Sequence, residues 1–307
     1  MKPQEQPLHL VEVGGTACVY KASNWEGAGV TGFVDGEFAV KVYREDCARA
    51  QAEAAREMRA LHRLASLGDD SRFIINLVFV DKLSETSLPI LGLDFCQGGD
   101  LYGLLSYGKL TEHDAKHYIV ELASALESMR KAKVLHGDIK PENIGLTATG
   151  HLRVFDFGTA RILENDKPVE HSAGTLLYAS PEALWRRKCG YAADWWAMGV
   201  ILFEMLYAQH AFESDSSDNT VDNIVRSRFS WPSKPRRSEA AMDFVERLLV
   251  VEQDLRMQTL KDCLAHPFLH DVDCASISSE SWLPLKFNFA KFEQERLAQG
   301  LSDKSFF

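Results

Sequence analysis

Cysteine is sparse and unpatterned: six residues in 307, none in a CxxC pair and none at metal-ligand spacing. A disulfide framework and a zinc site are therefore not expected, and free thiols are. No apolar run reaches membrane length. The longest, Trp195 to Tyr207, has 13 residues and contains Glu204, whereas a spanning helix needs roughly 20. The opening Met-Lys-Pro-Gln-Glu-Gln-Pro has no apolar core of a signal peptide, so a cytoplasmic or nuclear address is expected. Positive charge is also short. Lysine and arginine number 34 against 44 acids, a net charge of −10, which argues against a nucleic-acid partner and suits a basic peptide. No internal repeat or low-complexity segment occurs.

What is present is enough to build a large core. Hydrophobic residues make up 46% of the chain, and its length accommodates two lobes, given domains of roughly 100 to 200 residues. Residues 1–9 read as a tail. From Leu10 to Tyr43, short β-branched runs broken by glycine predict strands and turns. Cys47 to Leu67, rich in Ala, Glu, Arg and Leu, predicts a helix. Phe73 to Val80 and Ser87 to Phe95 predict two further strands. These elements make a small lobe over 10–95 with five strands and one main helix. Gln97-Gly98-Gly99-Asp100 reads as a hinge.

Beyond the hinge, helices are predicted at Leu101 to Leu105, Glu112 to Lys131, Asp194 to Tyr207, Ala240 to Val250 and Leu260 to Leu264. The large lobe, 96–270, is mostly helical, and the predicted fold class is bilobal α+β. Glu213 to Thr220, dense in Ser, Asp and Asn, reads as a solvated loop. A tail over 271–307 carries Trp282, Phe287, Phe289, Phe292, Phe306 and Phe307 among charges, and packing of that tail on the lobes is expected.

The chemistry concentrates in two segments, His136-Gly137-Asp138-Ile139-Lys140-Pro141-Glu142-Asn143 and Asp156-Phe157-Gly158. A carboxylate, an ammonium, a carboxamide and a second carboxylate stand in the order that metal-assisted phosphoryl transfer needs. Such transfer asks for position and cations more than for covalent chemistry. Loops rich in turn formers show these residue types singly; the ordered set is more specific. From about Leu10 to about Phe268 the chain resembles eukaryotic protein kinases of serine/threonine type. Asp156-Phe157-Gly158-Thr159-Ala160, Asp194 to Gly199 and Asp243 to Val250 look closest to the cyclic-nucleotide-dependent and phosphoinositide-dependent group.

The resemblance implies roles at numbered positions. Asp138 would accept the proton of the substrate hydroxyl, Lys140 would sit on the transferring phosphate, and Asn143 and Asp156 would hold Mg²⁺. Lys41, in Ala39-Val40-Lys41, would pair with the ATP phosphates and be oriented by Glu57; Glu53, one helical turn earlier, is the alternative. A lone lysine at a strand end often snorkels to solvent instead. Val11, Gly14, Gly15, Val19 and Ala39 would cover the nucleotide, and Leu93 would gate its back pocket. The backbone of Asp94 and Cys96 would meet the purine, and Asp100 the ribose.

Several positions depart from the family pattern. The three glycines of the phosphate loop appear as Glu12, Gly14 and Ala17, which puts tight phosphate clamping in question. Gly145 stands where an apolar floor is usual, which would leave a roomier purine pocket, with Phe155 near enough to fill part of it. Gly137 replaces an arginine that ordinarily reads an activation-segment phosphate, and His171, beside Ser172, falls where the phosphorylated residue usually stands. Activity without that phosphate is therefore expected.

At the peptide end, Thr175 would bond near Asp138 and Lys140, Glu182 would pair with Arg256, and Asp194 would anchor the catalytic loop. Asp100, Glu142 and Glu204 would receive substrate arginines, since Arg meets carboxylates in a bidentate fork. These features imply an ATP- and Mg²⁺-dependent kinase acting on a protein substrate. A pseudokinase that binds partners is the alternative, suggested by the eroded loop, Gly137 and Gly145. A small-molecule kinase is disfavoured by the Gly174-Thr175 and Ser180-Pro181-Glu182 segment.

Overall fold

The computed structural model describes residues 8–25, 36–45, 47–82, 88–171 and 174–273. Both tails, apart from Leu8–His9 and Asp271–Asp273, lie outside the described residues, as does Ser172. Five strands, β1 (His9–Val13), β2 (Ala17–Ala22), β3 (Phe38–Tyr43), β4 (Leu77–Lys82) and β5 (Pro89–Asp94), form one antiparallel sheet in the order β1-β2-β3-β5-β4. The helix α1 (Ala50–Ala65) buries Ala54, Glu57, Leu61 and Leu64 along one stripe, the spacing of an amphipathic surface helix. The predicted five strands and one main helix are observed. Strand β4 starts four residues later than expected, because Phe73, Ile74 and Ile75 are buried without joining the sheet.

Helices dominate the rest: α2 (Leu101–Ser106), α3 (Glu112–Lys131), α4 (Pro181–Leu184), α5 (Ala192–Tyr207), α6 (Ser217–Val225), α7 (Glu239–Leu248) and α8 (Leu260–Leu264). Short strand pairs join them: β6 (Val134–Leu135) with β9 (Arg161–Ile162), β7 (Ile144–Leu146) with β8 (Leu152–Val154), and β10 (Val169–Glu170) with β11 (Lys188–Cys189). Every residue of α5 is buried. The longest apolar run is thus the central core helix, apolar all round because protein surrounds it. No helix among the described residues is long and apolar enough to cross a membrane.

One predicted loop is partly a helix. Within Glu213 to Thr220, Ser216 caps α6 by accepting from the Asn219 amide at 3.2 Å, and Thr220 and Ile224 are buried beneath it. Serine and aspartate here start a helix rather than fill a loop, a role that composition alone does not separate from a turn.

Two side chains of α3, His117 and Glu121, meet His151 from the segment before β8. Glu121 Oε1 lies 2.5 Å from His151 Nδ1 and 3.1 Å from His117 Nε2, while Oε2 accepts from the Leu152 amide at 2.8 Å. Burial disfavours this carboxylate, but the two imidazoles outweigh it and lower its pKa. Among the described residues this is the one group with metal-ligand geometry. Its hydrogen bonds already tie α3 to β8.

Candidate active site

The cleft between the sheet and the helical lobe holds a cavity of about 450 Å³, a usual size for a small-molecule site. Of the residues expected to hold a nucleotide, Gly14, Gly15, Val19, Ala39, Lys41, Leu93, Asp100, Asn143 and Asp156 line it. Val11, Asp94 and Cys96 do not. Val11 is buried away from the wall. Asp94 donates its amide to Asn76 O at 3.2 Å, and its carboxylate accepts from Asn76 Nδ2 at 2.6 Å. The Cys96 side chain is buried behind Gly145.

That last contact removes the roomier purine pocket. A Cβ added at Gly145 would stand 2.4 Å from Cys96 Sγ and 3.2 Å from Phe155 Cε1. The missing side chain is replaced by two others, and Phe155 itself lines the cavity. Close packing leaves no vacancy for a bulkier purine there.

On β3, alternate residues share a face, so Lys41 and Tyr43 both point toward α1. Lys41 Nζ lies 2.7 Å from Glu57 Oε2 and 2.9 Å from Asp156 Oδ1, and the Tyr43 hydroxyl donates to Glu57 as well. Glu57, wholly buried, is therefore the partner, and Glu53 lines the cavity one turn away. Burial disfavours the Lys41 ammonium, but Asp156 and Glu57 outweigh it and raise its pKa. Burial likewise pushes Asp156 upward, and Lys41 overrides it, holding the carboxyl down at about 2. Asp156 is ionised at any physiological pH.

Asp156 has φ 61°, the left-handed region, which costs an L-residue roughly 1–2 kcal/mol. Its neighbours hold it there. Phe157 is fully buried with its ring 4.8 Å from His136, and His136 Nε2 lies 2.9 Å from Phe155 O. Arg56 Nε donates to Gly158 O at 2.7 Å, a tie from α1 that the sequence did not signal.

A smaller cavity adjoins the first, lined by Asp138, Gly174 and Thr175. Asp138 Oδ1 accepts from the Thr175 amide at 2.9 Å and its hydroxyl at 3.1 Å, and Lys140 Nζ reaches Thr175 Oγ1 at 3.1 Å. Asn143 Nδ2 donates to Asp138 O at 2.8 Å, which commits the nitrogen and leaves Oδ1 as the atom for a cation. An amide oxygen and an ionised carboxylate on one cavity wall are the hard oxygen ligands that Mg²⁺ takes. Asp194 accepts from the His136 and Gly137 amides, both at 2.9 Å, fixing the loop that carries Asp138.

Glu12 intrudes on the cavity from β1. Burial and the nearby Asp156 carboxylate raise its pKa to about 7, against the opposing pull of Lys41 and Lys140; Asp100 also lies within its field. A bound triphosphate would favour the protonated form further. The apparent KM for ATP is therefore expected to rise between pH 6 and pH 8 as Glu12 ionises. The rise is up to roughly tenfold per pKa unit that the nucleotide adds. In Glu12→Gln that dependence flattens to whatever the nucleotide's own titration leaves; an unchanged slope would show that Glu12 does not face the phosphates.

A bilobal fold with this paired lysine, ionised aspartate and loop carboxylate defines a phosphoryl-transfer class, and comparison with known proteins specifies it. Residues 11–269 match the protein kinase domain family. The chain is 33% identical over 258 residues to the serine/threonine-protein kinase MRCK alpha of Mus musculus, covering 79% of this chain and 15% of that protein. It is 32% identical over 249 residues to the probable serine/threonine protein kinase IRE4 of Arabidopsis thaliana, covering 71% and 23%. With the ribosomal protein S6 kinase beta of Caenorhabditis elegans it shares 29% over 276 residues, covering 87% and 48%. The chain belongs to the protein kinase domain family and spans less than half the length of each of these relatives.

Proposed function

We propose that this chain is an ATP- and Mg²⁺-dependent serine/threonine protein kinase that prefers arginine upstream of its target residue and needs no phosphate on its activation segment. One observation carries the reading: Lys41, paired to Glu57, meets Asp156 in the cavity that Asn143 also lines, beside the Asp138, Lys140 and Thr175 cluster. The substrate oxygen attacks the γ-phosphorus as the bond to the β–γ bridging oxygen breaks. Its proton passes to the Asp138 carboxylate, and ADP departs with the bonding pair. Lys140 faces the transferring group and Lys41 the other phosphates. Mg²⁺, when held by Asn143 and Asp156, supplies charge neutralisation along the triphosphate.

Arginine preference is supported by three acids that no lysine or arginine among the described residues pairs with, although Glu204 lies 3.7 Å from His210 Nδ1. Asp100 is raised to about 7 by burial, with Glu142 adding to the shift. Glu204 is raised by burial as well, and Glu142 again contributes. Glu142 Oε2 is buried with no hydrogen-bond partner among the described residues. A guanidinium would relieve all three.

Independence from phosphorylation is supported by the state of the nearby cations. Arg56 is engaged by Gly158 O at 2.7 Å, and Arg161 by the Thr159 and Ala160 carbonyls at 2.9 and 3.1 Å. Position 137 offers no arginine. Phosphatase-treated protein, given radiolabelled ATP and an arrayed serine peptide library, is expected to label peptides with upstream Arg over Lys. Labelling without basic preference would end the specificity claim. A hundredfold gain on phosphorylating Ser172 would end the other, and no transfer at all would favour the pseudokinase.

A further inference from the structure

We propose that His171 and Gly137 form a reciprocal latch in which the imidazole, seated where a side chain at 137 would stand, ties the activation segment to the catalytic loop. His171 Nε2 lies 3.0 Å from Gly137 O, and the ring is buried. A Cβ built at Gly137 would stand 2.3 Å from Nε2 and 2.5 Å from Cε1 of that ring. Gly137 also has φ +78°, a conformation that glycine adopts without the cost other residues meet. The seated ring therefore leaves no room for a side chain at position 137.

Both ends of the latch are fixed. The peptide that carries Gly137 O is held through the Asp138 amide, which donates to His136 Nδ1 at 3.3 Å, and the peptide before it is held by Asp194 Oδ1 on the Gly137 amide at 2.9 Å; each peptide unit is planar, so these bonds restrain the carbonyl that meets the ring. His171 follows directly on the β10–β11 pairing of Val169 with Cys189 and Glu170 with Lys188. Three residues later Gly174 packs so closely that an added Cβ would stand 2.2 Å from Asp138 Oδ1, and Thr175 bonds that oxygen twice. His171 and Thr175 are thus each held against the loop bearing the proposed base. His171 is a positioning residue: it acts on Asp138 through the neighbouring peptide and through Thr175.

The inference rests on the kinase reading for its kinetic test but not for its structural one. Loss of one hydrogen bond of ordinary strength corresponds to about tenfold in rate. His171→Ala is expected to lower kcat by about that factor with KM for ATP unchanged, and to raise hydrogen exchange at the amides of residues 174–178. His171→Gln, whose amide N–H has the reach of Nε2, is expected to restore most of both. Gly137→Ala alone is expected to cost at least as much as His171→Ala. The double variant is expected to lose less than the product of the two single losses, because the ring that clashes is gone.

Wild-type kcat and unchanged exchange in His171→Ala would overturn the latch. So would multiplicative losses in the double variant, or a Gln variant as impaired as Ala. Should His171→Ala fail to fold, as judged by circular dichroism, His171→Gln and Gly137→Ala carry the comparison. Should the wild-type protein transfer no phosphate, the kinase reading falls, and the exchange data alone still decide the latch.

Discussion

Replacing Asp156 with asparagine lowers phosphoryl transfer to a peptide by on the order of 10³-fold or more, while the protein stays folded. The magnitude follows from what one preorganised electrostatic group contributes to a charged transition state, commonly 10²–10³-fold for a single donor, here compounded by loss of a formal charge on a metal ligand. The fold survives for two reasons. Asparagine tolerates the left-handed backbone that Asp156 adopts at φ 61°. Lys41 also keeps Glu57 at 2.7 Å after losing its partner at 2.9 Å.

The sign of the linkage agrees. The Asp156 carboxyl is depressed to about 2, so the stability it contributes is present above its ordinary titration range and is lost only as pH falls toward 2. Removing the charge at pH 7 therefore forfeits one ion pair, not a fold. Initial rates with radiolabelled ATP, beside a thermal melt, read both parts. A variant within tenfold of wild type would place the cation elsewhere.

Much of this site was legible before any geometry, because phosphoryl transfer needs particular charges in a particular order and the chain writes them close together. Lys41, Lys140, Asn143 and Asp156 line one cavity, and Asp138 and Thr175 meet each other beside Lys140. Helix phase left Glu53 and Glu57 unresolved, since residues four apart share a face; burial and the Tyr43 hydroxyl decide for Glu57.

Compensating pairs were the hardest to see. Gly145 read as a gap, yet Cys96 and Phe155 fill it. Gly137 read as a lost arginine, yet His171 takes the space. Phe155 was foreseen from its place beside Asp156, but Gly145 and Cys96, like Gly137 and His171, lie more than 30 positions apart, and only packing brings them together. A one-residue motif check sees the loss but not the replacement. The start of α6 was missed for a different reason: Ser216 has the same side chain whether it turns a loop or caps a helix.

The largest stability effect is expected far from the cavity, at Glu182. Arg256 Nη1 and Nη2 meet the Glu182 carboxylate at 2.8 and 3.0 Å in a bidentate fork. The same guanidinium donates to Ala192 O at 2.7 Å, Val250 O at 2.8 Å and Val251 O at 3.2 Å, and lies 5.0 Å from the Trp196 ring centre. Both side chains are essentially inaccessible to water, at 0% and 3% exposure. The surface value of about 1 kcal/mol or less therefore does not apply.

Glu182→Ala leaves a buried cation with three carbonyl dipoles and no counter-charge, which costs about 3–5 kcal/mol. For a domain of this size that is roughly 10 °C in Tm and a large part of a total stability of about 5–15 kcal/mol. Arg256→Met strands the carboxylate and the three carbonyls instead, a similar or greater loss. Replacing both residues with Met removes the uncompensated charges together, so urea denaturation of the double variant is expected to show less destabilisation than the two single losses added. Strictly additive losses, or a Glu182→Ala cost near 1 kcal/mol, would mean that water reaches the pair. In that case the bridge between the end of the activation segment and the helical lobe would be a solvated contact rather than the brace on which the peptide-binding face rests.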